Sequence, residues 1–331
     1  MQEEWRTKHQ VAKVVAQNLK NNLREQLNCG QNRSAKASMV ELSLQLSGFK
    51  QMLHRPDRLA KALSDARQTN KVPFQLPCDV ERAPGVVRQQ LDGVSTVILN
   101  ANSTNQQVIL FLCGGAYFLP PTADHWRFLQ RLAQQTGVQV IVPQYATAPA
   151  AQYSAAYDQL HRLYTMLYTQ YPSSAITLMG DSAGAGLAAG FAEWLGEHGM
   201  PQPGHLVLIS PWLDLTLTNP LIKKYQDHDV VLDVDGLRHV GRLWAGSTPL
   251  TDYRLSPIHG DVAKLKNVLV FAGTREIMFP DVMKFVQLLR NAHVRVEAQI
   301  GRQLYHEYPI TPIPEARQAL RKIQQFCFEK S

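Results

Sequence analysis

From residue 84 onward, short apolar runs alternate with longer stretches in which apolar side chains return every three or four residues. The runs fall at 86–91, 94–100, 108–113, 138–142, 175–180, 205–210, 267–272 and 294–300. Each has the length of a strand. The patterns at about 122–136, 152–170, 183–198, 281–291 and 314–328 have the length and period of helices. Strand and helix in alternation predict βαβ units and a mostly parallel sheet. Asp92-Gly93 joins the first two runs, a dipeptide suited to a tight turn, so those two are expected to form an antiparallel hairpin. Residues 212–262 interrupt the alternation with no strand pattern and are expected to form part of a lid.

The first 75 residues have a different texture. Val11, Val15, Leu19, Leu23 and Leu27 recur every four positions with Lys13, Lys20, Arg24 and Glu25 between them, an amphipathic helical stripe expected to pack on its own protein. A polar stretch over 30–38 breaks the pattern. A second helical stretch runs through Leu53 and Leu63, and 72–84, with three prolines, reads as a linker.

Composition narrows the classes. Of 331 residues, 45% are hydrophobic and 18% charged, which is globular and excludes disordered or fibrous chains. The net charge of +7 comes without a dense Lys/Arg run or aromatic–basic interleaving, so a solvated basic surface is expected and no nucleic-acid partner. Cys29, Cys78, Cys113 and Cys327 are scattered, with no metal-ligand spacing and no disulfide framework, which fits a reducing compartment. The opening MQEEWRTKHQ is polar and no apolar stretch has membrane-spanning length, so a cytoplasmic location is expected.

Gly180-Asp181-Ser182-Ala183-Gly184 matches G-x-S-x-G. A pentapeptide of this composition arises by chance in roughly one chain in ten of this length, so context decides. Here a strand pattern runs straight into the serine and a helix pattern leaves it, the setting a nucleophile elbow requires. Small residues on either side let the two limbs pass closely, and the helix N-terminus favours developing negative charge. No GK[ST] follows, which excludes a P-loop, and the glycine order is not a dinucleotide fingerprint. The third run ends in Cys113-Gly114-Gly115-Ala116-Tyr117. Glycines at the carboxyl end of that strand suit backbone amides aimed at a ligand. Gly115 and Ala116 are the best oxyanion donors, Gly114 shapes the turn of the same hole, and Ala183 adds a third amide.

These segments, with Ser210–Thr216 (SPWLDLT), 253–257 and 273–281, resemble the hormone-sensitive-lipase-like branch of the α/β-hydrolases over most of residues 80–325. The resemblance implies an α/β-hydrolase fold: a mostly parallel eight-stranded sheet, helices on both faces and a helical cap. Residues 1–75 would supply the N-terminal cap segment, residues 80–331 the catalytic domain, and 212–262 the rest of the cap. Two departures stand out. Cys113 occupies the family's usual His, a scaffold residue of the glycine loop. The family's YRLAPE is Tyr145-Ala-Thr-Ala-Pro-Ala150, so an ionic brace is expected to be missing.

In this fold the triad runs in the chain order serine, acid, histidine. Glu276 and Asp281 both follow the seventh run; the family motif puts the acid at Glu276, and Asp281, after Pro280 at a helix start, remains the alternative. His306 alone of the eleven histidines lies in a loop beyond the eighth run and ahead of the last helix. The implied reaction is acyl transfer through Ser182, Glu276 and His306 on a small-molecule ester of short to medium chain, with no metal and no cofactor. An amidase or deacetylase, a membrane-surface lipase and a non-catalytic ligand-binding homologue are the competing readings; membrane contact and a homodimer stay open. Asp181 and Asp214 are expected to hold loops. Tyr117, Phe118 and Trp126 are read as core ahead of acyl pocket, and the segment Lys223–Asp229, with His228 between two aspartates, as a solvated loop and not a metal site.

Overall fold

A computed structural model describes residues 33–328. The amphipathic stripe over 11–27 and Cys29 lie outside the described residues. All eight expected strands are present: β1 (Val87–Leu91), β2 (Val94–Leu99), β3 (Val108–Leu112), β4 (Gln139–Pro143), β5 (Ile176–Asp181), β6 (His205–Ile209), β7 (Val268–Gly273) and β8 (Val296–Gly301). They form one sheet in the order β1-β2-β4-β3-β5-β6-β7-β8. β1 pairs with β2 and β2 with β4 antiparallel; every other pair is parallel. The β1–β2 turn closes at Asp92 and Gly93, both with positive φ (46° and 77°), the left-handed pair a tight hairpin needs.

The described helices are α1 (Ala35–Leu46), α2 (Phe49–His54), α3 (Pro56–Thr69), α4 (Cys78–Glu81), α5 (Ala123–Thr136), α6 (Tyr153–Gln170), α7 (Ser182–Glu197), α8 (Ile222–Gln226), α9 (Val234–Ala245), α10 (Phe279–Asn291) and α11 (Pro314–Phe328). The central strands are buried on both faces, which explains their unbroken apolar runs. Along β3, Val108, Leu110 and Leu112 enter one core with α6, α7 and α10, while Ile109 and Phe111 enter the other with α5 and α11.

Two N-terminal expectations change. The polar stretch over 30–38 does not delay the helix: the Ser34 hydroxyl caps α1 by accepting from the Ala37 amide (3.1 Å). The proline-rich segment 72–84 is not a free linker. It forms α4, buries Val80 and packs Phe74 edge-on against Trp126, ring centres 5.5 Å apart. Helix α2 packs on α3 and on α9 of the 212–262 insertion, where a Cβ on Gly236 would sit 2.3 Å from the Leu53 carbonyl oxygen. Lys50 Nζ donates to the carbonyls of Gln226 (2.7 Å) and Asp229 (2.6 Å), adding a polar tie between the two segments. Among the described residues, no helix is long and apolar enough to cross a membrane.

Candidate active site

The turn from β5 into α7 places Ser182 at the carboxyl end of the sheet's middle strand. Its φ of 48° lies in the left-handed region, a strained position for a residue with a Cβ. Glycine is required on both sides of it. A Cβ on Gly184 would lie 2.0 Å from the Leu112 carbonyl oxygen, and one on Gly180 would lie 2.6 Å from that of Gly184. The serine therefore stands on a bend that only close strand–helix contact permits.

His306 reaches it from the loop after β8, its Nε2 2.9 Å from Ser182 Oγ. Its Nδ1 is hydrogen-bonded to Glu276 Oε2. The other Glu276 oxygen accepts from the Gly273 amide (2.6 Å) and the Ser210 hydroxyl (3.0 Å), so the carboxylate is fixed on both sides. All three side chains are buried: Ser182 is 6% exposed, His306 4% and Glu276 0%. Burial alone would hold the His306 imidazole neutral; Glu307 when ionised, and the carboxylates of Glu276 and Asp229, act against it and push the pKa up. Asp281 is elsewhere. Its Oδ1 accepts from Asn219 Nδ2 (2.8 Å), burial raises its pKa, and it makes no hydrogen bond to His306.

The glycine loop after β3 is strained in the same way, with φ of 121° at Gly115 and 51° at Ala116. A Cβ on Gly115 would meet the Leu119 carbonyl oxygen at 2.3 Å. The amides of Gly115 and Ala116 donate to no acceptor among the described residues, and Ala183 sits in the first turn of α7, where amides have no helical partner. Gly114 differs from expectation. Its amide donates to Asp181 Oδ2 (2.9 Å) and is spent on anchoring the loop, so it is not a free donor. The Tyr145 hydroxyl donates to the Cys113 carbonyl (2.6 Å), a second anchor. The Cys113 thiol is buried, and burial, then the charges of Asp181 and Glu307, push its pKa well up.

Four side chains of the site escaped the sequence reading. Ser210 bridges, donating to Glu276 and accepting from the Glu307 amide (3.0 Å). Asp229 was expected in a solvated loop; it is 2% exposed and accepts from the amides of Val231, Leu232 and Ile277, the last at 2.9 Å next to Glu276. An Asp followed by an apolar Val-Val-Leu run was the available signal, masked by the charged residues before it. His125 Nε2 donates to Asp181 Oδ2 (3.1 Å), and Glu307 adjoins that pair. His125, Asp181 and Glu307 are the one grouping among the described residues with metal-ligand proximity, their donor atoms within 4.8 Å of one another. Asp181 Oδ2 is already occupied by Gly114 and His125. Asp214 holds its own loop as expected, accepting from the Thr216 amide (2.8 Å).

A cavity of about 750 Å³ opens over Ser182 and His306. Its apolar lining includes Leu44, Phe49, Met52 and Ala62 from α1–α3 and Val231 and Leu232 from the insertion; its polar lining includes Thr122, Asp124, His125 and Glu307. Tyr117, Phe118 and Trp126 do not line it and are core.

Known proteins bear on this arrangement. The family model for the alpha/beta hydrolase fold matches residues 109–310. An esterase of Acinetobacter venetianus is 32% identical over 242 residues, 72% of this chain and 80% of that protein. An acetyl-hydrolase of Streptomyces hygroscopicus is 30% identical over 219 residues, 65% of this chain and 73% of that one. A solved structure from Staphylococcus aureus matches with a TM-score of 0.80 at 28% identity, covering 83% of this chain and 94% of its own.

Proposed function

The chain belongs to the alpha/beta-hydrolase family and is a carboxylic ester hydrolase, and from that premise we propose that it works as a serine esterase through a Ser182–His306–Glu276 triad. The observation that carries the reading is a single chain of contacts: Ser182 Oγ to His306 Nε2 at 2.9 Å, and His306 Nδ1 to the Glu276 carboxylate. Ser182 Oγ attacks the ester carbonyl while His306 takes its proton. The amides of Gly115, Ala116 and Ala183 receive the oxyanion. His306 passes the proton to the departing alcohol, and Glu276 holds the imidazole tautomer and stabilises the imidazolium. Water then cleaves the acyl-enzyme by the same groups.

The substrate class is a small ester with a short- to medium-chain acyl group. A cavity of about 750 Å³ is of small-molecule size, and its apolar wall fits an alkyl chain. Helices α1–α3 and the insertion act as the cap that supplies that wall. Ser182→Ala should lower hydrolysis of p-nitrophenyl butyrate by at least about 10⁴-fold while leaving the melting curve close to the parent's. Retained turnover in the purified variant would overturn the nucleophile assignment.

A further inference from the structure

Glu307 follows the triad histidine directly and has no part in the reaction as described. Three observations set it apart. Its backbone is in the left-handed region (φ 59°), an uncommon conformation for a glutamate, which marks a residue held in place by its surroundings. Its amide is pinned to Ser210 Oγ, the same hydroxyl that braces Glu276. Its carboxyl reaches back beneath the glycine loop: Oε1 lies 3.6 Å from His306 Nε2 and 3.0 Å from where a Cβ on Gly114 would be.

There it comes up to Asp181: an oxygen of each carboxyl lies within 4.8 Å of the other, beside His125. Two carboxyl groups this close can join by a hydrogen bond only if one carries a proton. Asp181 has the means to stay ionised, because Oδ2 accepts from the Gly114 amide at 2.9 Å and from His125 Nε2 at 3.1 Å. Its Oδ1 is buried and has no hydrogen-bond partner among the described residues, so it is the oxygen left to take the proton of Glu307.

We propose that Glu307 is a positioning residue of the ester-hydrolysis site, its carboxyl O–H donating to Asp181 Oδ1 and so locking the carboxylate that anchors the Gly114 amide. The oxyanion loop thus hangs from a carboxyl–carboxylate pair, Asp181 buried and Glu307 partly so. The same proton leaves a neutral group facing the reactive nitrogen of His306, where a carboxylate would hold a proton on the imidazole and deprive Ser182 of its base.

The groups facing Glu307 come from four elements: Asp181 at the end of β5, His125 in α5, the Cys113 thiol after β3, and His306 in its own loop, with Glu276 and Asp229 behind the imidazole. Burial first, then the Asp181 charge, raise the Glu307 carboxyl to about 8 against the opposing pull of His306 and His125. Above that pH the pair becomes two carboxylates in contact, the hydrogen bond is lost, and the loop loosens.

The inference rests on the triad reading, and the test separates the two. The kcat/KM–pH profile for a p-nitrophenyl ester is measured from pH 5 to 10 for the parent chain, Glu307→Gln, Glu307→Leu and Ser182→Ala. The parent should show an alkaline fall centred near pH 8. Glu307→Gln keeps a donor for Asp181 and cannot ionise, so its alkaline fall should vanish while its acid limb stays in place. Glu307→Leu leaves Asp181 Oδ1 without a donor and should be about 100-fold slower than Glu307→Gln at pH 7, the size of losing one oxyanion donor. An alkaline limb unchanged in Glu307→Gln, an acid limb lowered by about one pH unit or more, or equal rates for the Gln and Leu variants would each overturn the proposal. An inactive Ser182→Ala beside any of those results would leave the triad standing; an active one would remove the triad itself.

Discussion

Glu276 does two jobs on one carboxylate, and that separates it from the nearby Asp281. One oxygen binds the imidazole; the other is held by the Gly273 amide and the Ser210 hydroxyl, which fixes the carboxylate where the proposed mechanism needs its acid. Asp281 starts α10 and binds Asn219, with no path to the histidine. Glu276→Gln should therefore lower kcat by about 10³- to 10⁴-fold, because the amide leaves the imidazole without its counter-charge and favours the wrong tautomer. Asp281→Asn should change kcat by less than about threefold, as expected of a group outside the reacting chain. Steady-state rates of the two variants decide it, and the reverse order would move the acid. Ser182, Glu276 and His306 were readable because chain order and loop position carry the information. Gly114 as an anchor, Ser210 as a bridge, Asp229 as a buried acid and Glu307 as a partly buried one were not. Each owes its environment to a segment distant in sequence: β5 for Gly114, the loop after β7 for Ser210 and Asp229, and β5 again for Glu307.

At the scale of elements, the strands were legible because each is a continuous apolar run, and burial on both sheet faces demands that composition. The short helices α4 and α8 were not, since pieces of four or five residues are stabilised by what they pack against and leave no period to read. Helix α7 is buried along nearly its whole length, and its small residues let it lie tightly on the sheet. It also carries a liability. Glu193 is 1% exposed, neither carboxyl oxygen has a partner, and Gly260 leaves it no room to move. Burial, then the charges of Asp261 and Glu197, push its pKa up to about 9. Below about pH 4.5 the group is protonated in both folded and unfolded chains and exerts no pH-dependent effect. Between there and about pH 9 the unfolded chain ionises while the folded one keeps its proton, so stability falls by up to about 1.4 kcal/mol per pH unit. Glu193→Gln should therefore gain on the parent as pH rises, with a melting temperature a few degrees better placed at pH 8 than at pH 5 relative to the parent. A gap between the two melting curves that is the same at both pH values would show that Glu193 ionises freely in the fold.

For the whole molecule, the sheet and the roof divide the work. The sheet's carboxyl edge fixes every proposed reacting group, whereas the proposed cap draws on two distant segments, α2–α3 and the 212–262 insertion, which meet at Gly236 and through Lys50. On this reading chain-length preference should vary with little effect on the chemistry, because Ala62, Met52 and Phe49 line the cavity and lie in a segment distant from the loops that carry the proposed triad. Ala62 offers the sharpest probe: it is small, lines the apolar wall, and sits on a helix whose other face carries buried Leu59, Leu63 and Ala66. Ala62→Trp should fill the wall from above. The expected outcome is kcat/KM for p-nitrophenyl hexanoate lowered by about tenfold or more, with acetate hydrolysis changed by less than about twofold, since the lost contacts belong to the distal methylenes. A chain-length series on both proteins reads this directly. Equal losses on acetate and hexanoate would mean that the acyl chain lies elsewhere, against the polar wall of Thr122, Asp124 and His125, and that the apolar wall receives the alcohol instead.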